Sequence, residues 1–292
     1  MPKTAFVFIF ALAMLLPRQP VSAGKPAYQL FTAEGQKVTY ADLLAIAGGS
    51  DIVLFGELHN NPIAHWLQFE LSRDLIDKLE NKLVMGAEMF EADDQIVLDE
   101  YLNGHILERH FLAEAKLWNN YSTDYRPLVE LARENTLGFV ATNIPRRYAA
   151  LVHREGLEAL ENLDPLAQSY IAPLPIPYDP ELPGYKAMLE MGGMPAHASA
   201  KLPMAQAIKD ATMAHFLLQN LPGEGAFIHF HGTYHSNNYE GIVWYLTQYA
   251  ETPLNILTIA TVEQGEVYKL DESHLGLADF ILAVPSSMTK TY

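Results

Sequence analysis

The sequence predicts an α/β fold: a mainly parallel central sheet flanked by helices, with helical insertions forming a cap. Three observations carry this prediction. Short apolar runs recur along the chain, and each stops at a polar residue. Segments of helical periodicity alternate with them. The runs are continuous rather than alternating in polarity, as strands buried on both faces require.

The runs are DIVLF (51–55), KLVMGA (82–87), LGFVAT (137–142), AFIHF (226–230), NILTIAT (255–261) and FILAV (280–284). After the first, Asn60 reads as an N-cap and Pro62 sits where a first-turn proline is tolerated. IAHWLQFELSRDLIDKL then puts Ile63, Trp66, Leu67, Leu71, Leu75 and Leu79 on one face of a helix. STDYRPLVELAREN repeats the helical pattern, and PMAQAIKDATMAHFLLQNL (203–221) reads as a long helix stopped by Pro222 and Gly223. Two stretches, about 92–136 and 144–222, exceed a simple crossover. Both read as mostly helical insertions, although PLPIPYDPELPGY (173–185) is too rich in proline to be regular. The last strands return to the sheet, so residues 24–292 read as a single domain.

Residues 1–23 read as a signal peptide. Lys3 supplies the positive start, AFVFIFALAMLL the apolar stretch, and VSA (21–23) a small-x-small cleavage site. The apolar stretch is short for a membrane span; an uncleaved anchor is the alternative. The mature chain is expected to start near Gly24 and to be periplasmic or secreted. With no cysteine it has neither disulfides nor the thiol of a lipoprotein, so a large apolar core has to hold it together. A length of 292 residues, 49% of them hydrophobic, supplies one. The net charge of −16 argues against nucleic acid or an anionic membrane surface as partner.

Chemistry concentrates where the apolar runs end. DIVLF stops at Gly56-Glu57-Leu58-His59, and AFIHF leads into Gly232-Thr233-Tyr234-His235. KLVMGA stops at Glu88, and LGFVAT at Asn143. In open parallel sheets ligands collect at the carboxyl ends of the strands. If strands 51–55 and 226–230 are parallel neighbours, the two Gly-x-x-His turns face one crevice. Glu57, His59, Glu88 and His235 are then candidates for a metal site or for acid–base work. Gln206 and Asp210, four apart on a predicted helix, are candidates for orienting a ligating histidine, as is Asn143. His229 and His231 alternate within their strand and read as packing. Met188, Met191 and Met194 read as a flexible apolar patch rather than a copper(I) site. No Gly-x-Ser-x-Gly, P-loop or dinucleotide fingerprint occurs.

Five blocks of sequence, GELHNNPIAHWLQFEL, GAEMFEADDQ, WNNYSTDYRPLVELARENTLGFVATNIPRR, AQAIKDATMA and HGTYH, resemble the ChaN-like family of haem-binding uptake proteins, in the superfamily of Tiki, TraB and erythromycin esterase. The resemblance runs from about residue 40 to 250. It implies an α/β core with helical insertions, and haem binding linked to iron acquisition. It also implies a homodimer with haem between protomers, and an outer-membrane haem receptor as partner. Tyrosine ligation of haem goes with this family, and Tyr148, Tyr125 and Tyr234 lie near the matching motifs, with Tyr148 slightly favoured. Trp118, Tyr121 and Tyr125 are candidates for the haem slot, and Arg126, Arg146 and Arg147 for the propionates. Related superfamily members use Gly-x-x-His and Glu motifs for metal-dependent hydrolysis. The two readings are therefore an exported haem-binding protein and, as the alternative, a hydrolase holding a divalent metal ion on Glu57, His59, Glu88 and His235.

Overall fold

The structure is a computed structural model that describes residues 24–190 and 201–292. The leader reading of residues 1–23, and Met191 and Met194, fall outside the described residues. The strands are β1 (Gln29–Thr32), β2 (Lys37–Val38), β3 (Ile52–Glu57), β4 (Leu83–Glu91), β5 (Phe139–Asn143), β6 (Ala226–Gly232), β7 (Ile256–Gln264) and β8 (Phe280–Pro285). The helices are α1 (Tyr40–Ala47), α2 (Pro62–Lys78), α3 (Gln95–Leu102), α4 (Glu108–Glu114), α5 (Arg126–Glu134), α6 (Arg146–Glu155), α7 (Pro165–Gln168), α8 (Pro183–Glu190), α9 (Leu202–Gln219) and α10 (Ile242–Tyr249).

The eight strands form one sheet in the order β2-β1-β8-β7-β3-β6-β4-β5. From β8 to β5 every pairing is parallel. Only β1, paired with β8 and β2, runs antiparallel. All six predicted runs are strands of the parallel portion. The short pair β1 and β2 was not anticipated.

The continuous apolar strands are divided by the sheet between two cores. Val53 and Phe55 of β3 face Leu67, Leu71, Leu98, Phe111 and Leu128, which are carried by α2 to α5. Ile52 and Leu54 face the other side, with Ala149, Ile208, Ala211 and Ile242 from α6, α9 and α10. The first insertion thus covers one face of the sheet and the second covers the other. Removing this much apolar side chain from water is what stabilises a chain without disulfides.

The helix after β3 starts one residue later than predicted. Asn61 is the cap, its side-chain oxygen accepting from the N–H groups of Ile63 and Ala64, with Pro62 at the first helical position. Leu67, Leu71 and Leu75 are buried as predicted, but Trp66 is 46% exposed and packs at a tilt against Tyr28. Among the described residues no helix is long and apolar enough to cross a membrane.

Candidate functional site

Parallel pairing of β3 with β6 sets Gly56 beside His231 and Glu57 beside Gly232. The two Gly-x-x-His turns therefore leave the same edge of the sheet side by side. Each glycine makes room for the other motif. A Cβ on Gly56 would lie 2.8 Å from the Thr233 Cα, and one on Gly232 would lie 2.7 Å from His59 Nε2. Close approach, rather than a sharp bend, is what both positions demand; Gly232 has an ordinary φ of −57°.

A cleft of about 710 Å³ opens at this edge, and Glu57, His59, Glu88, Asn143, Gln206 and His235 all line it. Glu57 is buried and fully engaged. Its Oε1 accepts from the Tyr125 hydroxyl at 2.7 Å and lies 2.9 Å from His59 Nδ1. Its Oε2 accepts from Gln68 Nε2 at 2.6 Å. Burial pushes the pKa of His59 down, but the hydrogen bond to Glu57 and the charges of Glu88 and Glu57 outweigh it, and the net shift is upward.

His235 is buried between two carboxylates. Nδ1 meets Asp210 Oδ1 at 2.5 Å and Nε2 meets Glu88 Oε1 at 3.2 Å. Desolvation opposes the charged ring, yet Glu88 and Asp210 push its pKa up to about 10. Both ring nitrogens therefore donate. Burial likewise resists ionisation of Glu88, but His235 and the Gly232 N–H, which donates to Oε2 at 2.8 Å, hold it well below the usual carboxylate range. Burial wins at Asp210, whose pKa is raised despite His235 and the Tyr185 hydroxyl. The Gln206 carboxamide lies 2.9 Å from His235 Nδ1, and Asn143 Nδ2 donates to the Glu88 carbonyl at 2.9 Å.

This wiring differs from the predicted metal site. The His235 nitrogens face carboxylates, and both oxygens of Glu57 accept from neighbours. Among the described residues no group of three or more His, Asp or Glu side chains is arranged to hold a metal ion. The four candidates come together as a pair of hydrogen-bonded ion networks instead.

Behind the floor runs a second buried chain. Thr142 Oγ1 lies 2.7 Å from His229 Nε2, His229 Nδ1 lies 3.1 Å from His231 Nδ1, and His231 Nε2 lies 2.8 Å from Ser236 Oγ. Burial depresses both histidines, His229 to about 3. Packing of these rings was predicted; the hydrogen bonds that satisfy them were not.

The profile of the family described as haem-binding uptake, Tiki superfamily, ChaN matches residues 43–246. The chain belongs to this ChaN family of haem-binding uptake proteins. Its fold is that of ChaN of Campylobacter jejuni, a structure with cofacial haem, at a TM-score of 0.66 and 18% identity over 87% of this chain and 96% of that one. A succinoglycan biosynthesis protein is similar at a TM-score of 0.53 and 14% identity, over 91% of this chain and 96% of that one. No curated protein matches the chain in sequence.

The remaining ChaN-family candidates separate clearly. Tyr234 lines the cleft, is 40% exposed, and donates to the Gly184 carbonyl at 2.7 Å. Tyr125 is buried and its hydroxyl is given to Glu57. Tyr148 lies outside the cleft lining, under the Arg147 guanidinium at 4.5 Å. Trp118 lines the cleft with its ring 4.9 Å from that of His59, whereas Tyr121 is buried against Phe90 and Phe111. Arg146 lines the cleft with its side chain 78% exposed. Its guanidinium lies 3.9 Å from Glu91, also on the lining, while Arg126 pairs with Glu108 at 2.6 Å and Arg147 with Asp93 at 2.5 Å, both outside the lining. Met188 packs against the apolar core. Sequence reasoning missed Lys209, Ile144, Ala149 and Tyr292 in the lining. Lys209 stands three residues after Gln206, on the same side of α9, so helical spacing held a signal for it. Tyr292 had none.

Proposed function

We propose that this chain binds haem in the cleft at the carboxyl ends of β3, β4, β5 and β6, as an exported component of haem or iron uptake. The observation that carries the reading is the composition of the cleft wall. A planar aromatic side (Trp118), an aliphatic side (Ile144, Ala149), a phenol (Tyr234) and two cations (Arg146, Lys209) line one cavity of about 710 Å³. Haem needs such a set: apolar walls for the macrocycle, an axial ligand for the iron, and cations for the propionates. Haem, when bound, supplies a ferric iron that accepts a phenolate.

In this reading Tyr234 would hold the iron through its phenol oxygen. It is the one tyrosine of the three candidates on the cleft wall and is 40% exposed, whereas Tyr125 is buried; the Tyr234 hydroxyl would exchange the Gly184 carbonyl for the iron. His59 plays the other polar part. Its Nδ1 lies against Glu57, and the hydrogen bond to Glu57 with the charges of Glu88 and Glu57 outweighs burial to raise its pKa. Arg146 and Lys209 take the carboxylates. A homodimer with haem between protomers, and delivery by an outer-membrane receptor, belong to the same reading. So does removal of residues 1–23. The N-terminus of protein recovered from the native envelope, read by mass spectrometry, tests the last point; an intact Met1 leader would remove it.

Titration with haemin, followed at the Soret band with metals measured on the same sample, tests the main point. Tyr234→Phe keeps the ring and is expected to weaken binding roughly tenfold or more, about 1.4 kcal/mol. Tyr148→Phe is expected to leave affinity unchanged. The reverse pattern, or no Soret change in the parent, sinks the assignment.

A further inference from the structure

Residues 288–292 follow β8 but do not pair with the sheet. They pass along the rim of the cleft and are fastened there. The Thr291 N–H donates to the Asn60 carbonyl at 3.0 Å, and the Thr291 hydroxyl donates to Asp124 Oδ2 at 3.0 Å. Asn60 Nδ2 returns a weaker bond of 3.5 Å to the main-chain oxygen of Tyr292. Lys290 forms an ion pair with Glu263 at the end of β7. Asn60 directly follows His59, so the segment is tied to the turn that carries the first motif. Its other anchor, Asp124, is buried and oriented by Asn120 at 2.7 Å.

These bonds hold Tyr292 at the cleft. Tyr292 forms part of the cleft lining yet is 67% exposed. An aromatic ring gains little by standing in water, and the hydrogen bonds that hold the segment are few. The ring gains a partner only when something flat and apolar fills the cleft beneath it.

We propose that residues 288–292 form a strap over the binding cleft, with Tyr292 stacking on a planar macrocyclic ligand and Thr291 as the fastening. The proposal rests on the haem reading and adds what governs release. The strap is in place before the ligand arrives, yields because its anchors are few, and recloses when ring and macrocycle bury each other.

The test is haem release from the full chain into excess apomyoglobin, comparing the parent with Thr291→Val and Tyr292→Ala. Valine keeps the shape of threonine and removes the hydroxyl. Both positions are exposed, and far-ultraviolet circular dichroism checks that the fold is retained. Each variant is expected to release haem roughly fivefold faster than the parent, the effect of losing one modest interaction. In the parent, the Thr291 amide is expected to exchange with deuterium more slowly once haem is bound. If the parent holds haem but both variants release it at the parental rate, the strap is wrong while the haem reading stands. If the parent takes up no haem at all, both fall together.

Discussion

At the scale of single residues, the most consequential arrangement is His235 between Glu88 and Asp210. Three ionisable groups out of water are tolerable only because each satisfies another: removing His235 leaves two buried carboxylates without a counter-charge, whereas removing Glu88 leaves His235 paired with Asp210. His235→Ala is therefore expected to cost about 3–5 kcal/mol in urea denaturation, and Glu88→Ala less. The pH dependence has a definite sign. The folded pKa of His235, about 10, lies above its ordinary value. Its contribution is complete below about 6.5 and is lost as pH rises through about 10. Asp210, also raised, contributes in the same direction. Glu88, lowered, contributes above its ordinary range and is lost only in strong acid. Stability should fall between pH 7 and 10 in the parent, and Glu88→Gln should flatten that fall. A parent whose stability is constant over this interval would show that the ring is neutral. The sequence made much of this legible. Carboxylates and histidines directly after apolar runs marked Glu57, His59, Glu88 and His235, and helical spacing marked Gln206 and Asp210. Tyr185 and Tyr125 were not legible as partners. Each meets its carboxylate across a long separation in sequence, through packing that no local pattern records.

At the scale of elements, the neighbouring strands β3 and β6 act as one unit because each motif's glycine accommodates the other. Two alanine substitutions separate the consequences. Gly56→Ala sets a Cβ against the main chain of Thr233 and Ile259, which cannot move without disturbing the register. It should lower stability by about 1–3 kcal/mol, as overpacking does. Gly232→Ala meets the tip of the His59 ring, which can rotate away. It should cost less stability than Gly56→Ala but weaken haem binding. Thermal melts beside haemin titrations measure both, and equal stability losses would contradict the argument. The parallel strands were legible because burial on both faces writes itself as an unbroken apolar run. The antiparallel pair β1 and β2 was not, being four and two residues long. β4 also runs on to Glu91, past the carboxylate where its apolar run ends. Its polar end is buried because His235 and the Gly232 N–H receive Glu88, a compensation supplied by distant residues.

At the scale of the whole molecule, one sheet separates two large apolar cores, with a smaller cluster around Phe31, Val262 and Ile281, and gathers the polar chemistry at one edge. Both cores share every central strand, so neither is expected to melt without the other. A single calorimetric transition for residues 24–292 is the expected outcome. Leu71, fully buried against β3, should cost about 2–5 kcal/mol when truncated to alanine and shift that one transition without splitting it. Two resolved transitions would mean that the helical layers fold independently.

The buried row of Thr142, His229, His231 and Ser236 carries a consequence of a different kind. Two neutral imidazoles own two N–H groups, and the contact between their Nδ1 atoms uses one. If His229 supplies it, Thr142 donates at one end and His231 donates to Ser236 at the other. If His231 supplies it, every bond in the row points the opposite way. No third pattern satisfies all four side chains without adding a proton. The row is thus a reversible polarity next to His235, able to turn its dipole end for end while its charge stays at zero.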